Sequence, residues 1–391
     1  MRNIPYGRQF VDNSDIKEVS KALKQDLITT GSYVEKFELA IKRKFKVNHS
    51  ILCNSGTSAL HLVFLSINLK KNDVVIMPAI NFIASYNQCK ILGAKIFLAD
   101  VDSSTGQMTP KNVLECINKN KIKKVKLLIT MYLGGYPDNV VEFFNLKKKL
   151  NCFLIEDACH AFGAKYRFKN KLLSIGSCIH SDACIFSFHP VKTITTAEGG
   201  VITTKSKRIY NLSKNFRSHG ITRGKFHWDY DISNIGFNYR ISDINCALGL
   251  SQFRKTEKFI KKRKSIYYKY YNAFKYINFF RLRTFLNNVS PSFHLILLQF
   301  NFPISIKQKN EILYKLKKKK IKAQYHYIPI YRFKIYSKKK EQLKGSENYY
   351  RSTISLPIHY NLSVAEQEKV INILTKISKE LFKNFYEKKY S

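Results

Sequence analysis

The chain has 391 residues, 45% of them hydrophobic, enough to bury a sizeable core in two or three domain-sized units or in one large domain with a smaller lobe. No run approaches the roughly 18 apolar residues of a membrane span, residues 1–6 lack the apolar core of a secretory signal, and the eight cysteines show no C-x-x-C pair or histidine at metal spacing. A soluble cytoplasmic protein without a disulfide framework, zinc site or other metal is expected, whereas the formal net charge of +41 raises nucleic-acid binding as a class to be weighed.

Apolar runs near 49–55, 73–79, 95–101, 125–133, 152–158, 182–188 and 200–204 alternate with helix-like stretches, which predicts a mostly parallel sheet wound with helices. There is no internal repeat. Residues 51–65 read as a strand, a tight turn at Gly56 and a helix opening with Thr57 and Ser58. Such an opening turns unpaired backbone N–H groups and the positive end of a helix dipole toward an anion, although the same wording also fits an ordinary capped helix. Residues 73–85 read as a buried strand, a break at Pro78 and an aromatic, Phe82, at the head of the next helix. Phe82 either stacks on a ligand ring or packs in the core, as most of the 28 phenylalanines do.

The run 152–158 ends in Glu156 and Asp157 at a carboxyl edge, where open α/β sheets bind ligands. His160, three residues on, sits beside such a ligand or caps the turn, and Cys159 reads as a small apolar filler. Residues 187–200 (SFHPVKTITTAEGG) hold a single lysine, Lys192, in a loop of small and hydroxylated residues between two strand-like runs. A lysine desolvated at the mouth of a sheet has a lowered pKa, and its neutral amine forms a Schiff base with an aldehyde such as pyridoxal phosphate. The alternative is a surface lysine ahead of a glycine turn. With that coenzyme, Asp157 is the candidate partner of the pyridinium nitrogen, because an anion there keeps the ring an electron sink. Beyond the helix holding Asp243 to Phe253, the lysine-rich run 255–269 reads as a long connecting helix, so the chain divides into 1–253 and 254–391.

These segments, in this order, resemble the fold-type I pyridoxal phosphate enzymes and, within them, the nucleotide-sugar aminotransferases of the DegT/DnrJ/EryC1/StrS family. The likeness extends through residues 216–221 (FRSHGI), 235–243 (IGFNYRISD), 247–252 (ALGLSQ), 323–331 (AQYHYIPIY) and 354–359 (ISLPIH), so it covers nearly the whole chain. It implies an α/β fold with a mostly parallel seven-stranded sheet in a large domain and a smaller C-terminal α+β domain. It also implies that Lys192 is the catalytic nucleophile, holding pyridoxal 5'-phosphate covalently, and that Gly56, Thr57, Ser58, Phe82, Asp157, His160 and Ser187 hold the coenzyme's ring and phosphate. Asn238 is expected to reach a phosphate in the neighbouring subunit's site, which makes the protein a homodimer with shared active sites. Sugar-nucleotide contacts fall by the same resemblance to Tyr6, Asp26, Leu27, Ile28, Thr29, Gly56, Gln324, Tyr325, His326 and Tyr327.

The wording of the lysine loop, the stretch from Gln324 to Tyr331 and Tyr6 imply one reaction: transfer of an amino group from L-glutamate to C4 of UDP-2-acetamido-2,6-dideoxy-β-L-arabino-hex-4-ulose. Relatives acting on other UDP- or dTDP-linked keto sugars are poorly separated by motif. Ala197 stands where a glycine is common across the wider family, a small change that leaves the loop plausible. A pyridoxamine phosphate-dependent sugar dehydratase would carry histidine at the lysine position, so Lys192 argues against it. The lysines are spread over many segments with no helix-turn-helix, zinc-finger or RNA-binding signature, so no nucleic-acid partner is expected; the charge excess also suits an anionic UDP-linked 4-keto sugar.

Overall fold

The computed structural model describes residues 3–226, 228–336 and 343–382. Seven short strands build the central sheet: β1 (His49–Cys53), β2 (Val74–Pro78), β3 (Lys95–Ala99), β4 (Leu127–Met131), β5 (Phe153–Asp157), β8 (Ala183–Ser187) and β9 (Gly200–Thr204), the hairpin β6 (Lys165–Phe168) and β7 (Lys171–Ser174) intervening. They lie in the order β1-β9-β8-β5-β4-β2-β3. From β8 to β3 every pairing is parallel, and β9 alone runs antiparallel to both its neighbours. The mostly parallel sheet expected from the apolar runs, with the seven strands that the resemblance implies, is thus present. β4 is buried at all five positions, because helices cover both faces and leave no solvent side to alternate toward.

Those helices are α1 (Asn13–Ala22), α2 (Ser32–Phe45), α3 (Gly56–Ser66), α4 (Ala84–Ile91), α5 (Pro110–Lys119), α6 (Val140–Leu150), α7 (Lys207–Arg217) and α8 (Asp243–Arg254). α3 is apolar on nearly every face because it is sandwiched between the sheet and α4 and α7, with its residues from Ser58 to Phe64 buried. A two-stranded ribbon, β10 (Ile221–Arg223) with β11 (Tyr230–Ile232), stands apart from the sheet.

After α8 the long helix α9 (Thr256–Phe274) follows with only Lys255 between, so the lysine-rich connector is helical as read. The smaller lobe pairs β12 (Phe280–Leu282), β14 (Ile296–Phe300) and β15 (Thr353–Leu356) antiparallel. Around them lie α9, α10 (Ile306–Lys318), α11 (Lys344–Ser352) and α12 (Val364–Leu381). Ile4 bridges Ile321 and is buried in this lobe's core, so the first described residues belong to the smaller lobe. β13 (Val289–Ser290) pairs with β6, tying the lobes together. Among the described residues no helix is long and apolar enough to cross a membrane, and all eight cysteines are free.

One buried carboxylate joins α2 to α8. α2 opens on Gly31, which has no side chain to cap its first N–H groups. Asp243, fully buried at the start of α8, supplies the cap from a distance: its oxygens accept from the backbone N–H of Gly31 (2.7 Å), Tyr33 (2.8 Å) and Val34 (3.3 Å). Asp243→Ala strands these donors in the interior and is expected to cost about 3 kcal/mol, the scale of buried donors left without acceptors. Urea denaturation measures it, and an unchanged midpoint would show that α2 needs no cap from α8.

Candidate active site

A cavity of about 520 Å³ opens at the carboxyl ends of β5 and β8, between the two lobes. Its wall contains Tyr6, Gly56, Thr57, Phe82, Asp157, His160, Ser187, Lys192, Gln324, Tyr325, His326 and Tyr327, and thereby most of the residues singled out in the sequence. A larger groove of about 920 Å³ at the amino ends of β2 to β5 is lined by lysines together with Asp73 and Asp182, and Lys147 pairs with Asp182 there at 2.6 Å.

The floor is set by close backbone approach. A Cβ on Gly200, the first residue of β9, would lie 2.3 Å from the Ser55 carbonyl oxygen, and one on Gly56 would lie 2.9 Å from Ser187 Cβ. Only glycines let the β8–β9 end pack against the head of α3. Ser55 caps that helix, its Oγ accepting from the Ser58 N–H at 3.0 Å. The N–H groups of Gly56 and Thr57 keep no intrahelical acceptor, so this glycine-floored cradle presents free donors at a helix N-terminus, an arrangement suited to an anion. Ser58 serves differently from Thr57: its hydroxyl donates to Asn54 Oδ1 (2.6 Å), and the residue is absent from the cavity wall.

Asp157 ends β5 and is buried; its oxygens accept from Ser85 Oγ (3.1 Å) and from the Cys159 N–H (3.2 Å), which aim the carboxylate into the cavity. Phe82 is 53% exposed, with its ring 5.8 Å from that of Tyr327, so a face remains open for a ligand ring.

Lys192 sits in the excursion between Ser187 and Gly200, which are register partners in β8 and β9. Thr195 Oγ1 donates to the Phe188 carbonyl (2.9 Å), and the Lys192 N–H donates to the His189 carbonyl (2.9 Å), so the loop is pinned on both sides of the amine. Ala197 adopts φ +65°, the left-handed region. Glycine enters that region freely, so the methyl group of Ala197 costs about 1 kcal/mol there. Burial pushes the Lys192 amine below the ordinary lysine range, against the opposing pull of Cys159 and Asp157.

His160 neither caps its own turn nor stands alone. Its Nδ1 accepts from the Gly134 N–H (3.3 Å), which puts the ring proton on Nε2, 2.9 Å from the Tyr327 hydroxyl. Tyr327 therefore accepts from His160, and its own hydrogen is left for an acceptor in the cavity. Burial, then Lys192, His294 and His326, hold His160 neutral far below the usual histidine range, while burial pushes the Tyr327 hydroxyl well up. The His294 ring packs 4.2 Å from that of His160, a contact with no signal in the local sequence. The smaller lobe and the N-terminal segment close the far wall: Tyr6 stacks at a tilt 5.2 Å from His326, whose Nδ1 lies 2.8 Å from Ser355 Oγ. The Gln324 N–H is anchored on the Ser355 carbonyl at 3.0 Å.

Five expected contacts lie elsewhere in this chain. Asp26, Leu27, Ile28 and Thr29 are exposed beside α8, where the Ile28 carbonyl accepts from the Asp243 N–H (2.9 Å), and Asn238 is exposed in a bridge to Ser218. None of the five lines the cavity. Conversely Glu198, His189 and Met131 line it without having been singled out. Among the described residues no cluster of His, Cys, Asp or Glu could hold a metal ion.

The model of the DegT/DnrJ/EryC1/StrS aminotransferase family matches residues 9–375. The Campylobacter jejuni UDP-4-amino-4,6-dideoxy-N-acetyl-beta-L-altrosamine transaminase is 35% identical over 384 residues, covering 96% of this chain and 99% of that protein. Helicobacter pylori PseC, an aminotransferase involved in the biosynthesis of pseudoaminic acid, superposes with a TM-score of 0.87 at 29% identity, covering 97% of this chain and 100% of its own. The PLP form of the sugar aminotransferase Spr1654 from Streptococcus pneumoniae gives 0.88 at 25% identity, over 97% and 99% of the two chains.

The Gly134–His160–Tyr327 chain has a direct readout. Nitrogen NMR of labelled protein is expected to show His160 as the Nε2–H tautomer with shifts constant from about pH 8 to about pH 5, since its proton affinity lies far below the solution value. A titration midpoint near the free histidine value would refute the fixed donor role of the ring.

Proposed function

The chain belongs to the DegT/DnrJ/EryC1/StrS aminotransferase family, and on that premise we propose that it moves an amino group from L-glutamate to C4 of UDP-2-acetamido-2,6-dideoxy-β-L-arabino-hex-4-ulose. The products are UDP-4-amino-4,6-dideoxy-N-acetyl-β-L-altrosamine and 2-oxoglutarate. The observation that carries this reading is a burial-depressed amine, Lys192, facing the Asp157 carboxylate across one chamber whose outer wall is Tyr6 and the Gln324 to Tyr327 stretch.

The coenzyme is pyridoxal phosphate, and the donor set fits it. Gly56, Thr57 and Ser187 would hold its phosphate, Asp157 its ring nitrogen, Phe82 a ring face and Lys192 its aldehyde carbon. Bound there, it supplies an electron sink for the carbon that loses or gains a proton beside the transferred nitrogen. The protein supplies the proton carrier: with its affinity lowered by burial, Lys192 Nζ would move a proton from the donor's α-carbon to the coenzyme's aldehyde carbon in one half-reaction, and from that carbon to the sugar's C4 in the other. Tyr327 offers its outward O–H to an oxygen at the reacting end, and His160 fixes its direction.

A second copy completes the reading. Asn238 and the stretch from Asp26 to Thr29 are exposed outside this chain's cavity, and Leu27, Ile28 and Ile235 leave apolar surface uncovered at 61%, 45% and 88% exposure. A homodimer in which each chain lends Asn238 to its partner's phosphate end, and Asp26 to Thr29 to its sugar end, uses all of these residues.

Lys192→Ala is expected to abolish turnover and the visible absorbance of the bound coenzyme; retained turnover would remove the nucleophile. Mixing Lys192→Ala with Asn238→Ala chains should recover a fraction of the activity that neither has alone, and no recovery would dismiss shared sites. Incubation with glutamate and matched UDP- and dTDP-linked keto sugars, followed by NMR of the amino sugar, fixes the substrate. Turnover of only the dTDP sugars would overturn the assignment while leaving the family intact.

A further inference from the structure

Behind the outer wall lies a buried cation that the reaction above does not use. Lys309, on α10, is fully buried, and its ammonium donates to the Tyr350 carbonyl. The same nitrogen lies 3.8 Å from the centre of the Tyr350 ring and 4.7 Å from that of Tyr325. The two rings meet edge to face at 5.5 Å and 88°, so the cation completes a three-membered stack of α10, α11 and the cavity wall. Tyr325 faces the cavity on its other side.

The charges around Lys309 leave it uncompensated. From α11 the Glu347 carboxylate bears on it, but Glu347 already accepts from Arg332 Nε (2.8 Å) and the Tyr331 hydroxyl (2.9 Å) and lies 3.6 Å from Arg351. Arg332, from the turn after Pro329, stands 5.3 Å from the Tyr350 ring and opposes the lysine's charge. Two aromatic faces and one carbonyl are what holds the ammonium, and a cation held that way attracts the rings only while it is charged.

We propose that Lys309 is a positioning residue for the sugar nucleotide: its ammonium clamps Tyr325 against Tyr350, and substrate affinity falls when that charge is lost. The inference rests on the preceding reading of the Tyr325 wall as the sugar side. Burial, then Arg332, pushes the Lys309 pKa down to about 7, so the clamp is engaged below neutrality and released above it. His326 cannot produce the same transition, because burial and Lys192 hold it at about 3, and His160 and His294 are held far below the usual histidine range.

The test measures kcat and KM of the holoenzyme for the sugar nucleotide from about pH 6 to about pH 8, spanning the Lys309 pKa of about 7. Wild type is expected to show KM rising about tenfold, because full loss of a desolvated cation–π contact is a roughly 30-fold effect and the charged fraction of Lys309 falls about tenfold across that window, with no matching step in kcat. Lys309→Met should hold KM at the high value across the range, and Lys309→Arg, which keeps its charge, should hold it low. A KM step that persists in Lys309→Met, or a KM in that variant equal to wild type at acid pH, overturns the proposal. Near-ultraviolet circular dichroism supplies an arm independent of turnover: a tyrosine signal that changes near neutral pH in wild type and not in Lys309→Met supports the clamp. Its absence in wild type refutes the clamp even if the assumed sugar is not the substrate. Wild-type protein that turns over no keto sugar yet shows this signal faults the functional reading and leaves the clamp standing.

Discussion

Everything in the site depends on two backbones that nearly touch. Gly200 lies against the Ser55 carbonyl and Gly56 against Ser187, so the end of the β8–β9 pair rests on the first turn of α3. A methyl group at either glycine would force them apart. Because they meet, the unpaired N–H groups of α3 and the loop carrying Lys192 open into the same cavity, and the Asp157 carboxylate at the end of the adjacent strand faces both. β9 matters here for its direction: as the one antiparallel strand of the sheet, it brings the chain straight back from the carboxyl edge, which gives the lysine a short, pinned loop instead of a crossover helix.

The electrostatic character of the chamber follows from burial more than from net charge. A chain of formal charge +41 places a lysine amine beside three histidines that are all held neutral. Neutral rings donate and accept hydrogen bonds in fixed directions without adding further positive charge beside the Lys192 amine. The Gly134 N–H settles which nitrogen of His160 bears hydrogen, and that choice passes on to Tyr327. The same low-polarity surroundings act on Lys309 in the next layer, where aromatic faces replace a counterion.

Local sequence went far in this chain because its strands are buried on both faces and therefore read as unbroken apolar runs; β2, β4, β5, β8 and β9 each fall within such a run. Gly56, Asp157 and Lys192 were legible since each stands where a strand ends, and a strand's carboxyl end is where α/β sheets place chemistry. The lysine-rich connector was legible as α9. Ser58 was less so: the same three-residue turn offers Thr57 to the cavity and Ser58 to Asn54, a difference of side-chain direction within one helical turn.

Strand and helix content, the lysine loop, the glycine turn and the carboxylate at the sheet edge were thus determined by sequence alone, because periodicity and turn chemistry are local properties. The partnership of His160 with Gly134 and Tyr327, the capping of α2 by Asp243 and the caging of Lys309 were decided only by tertiary structure. Each joins residues far apart along the chain, and no spacing rule encodes which buried donor will find which acceptor once the two lobes close on each other.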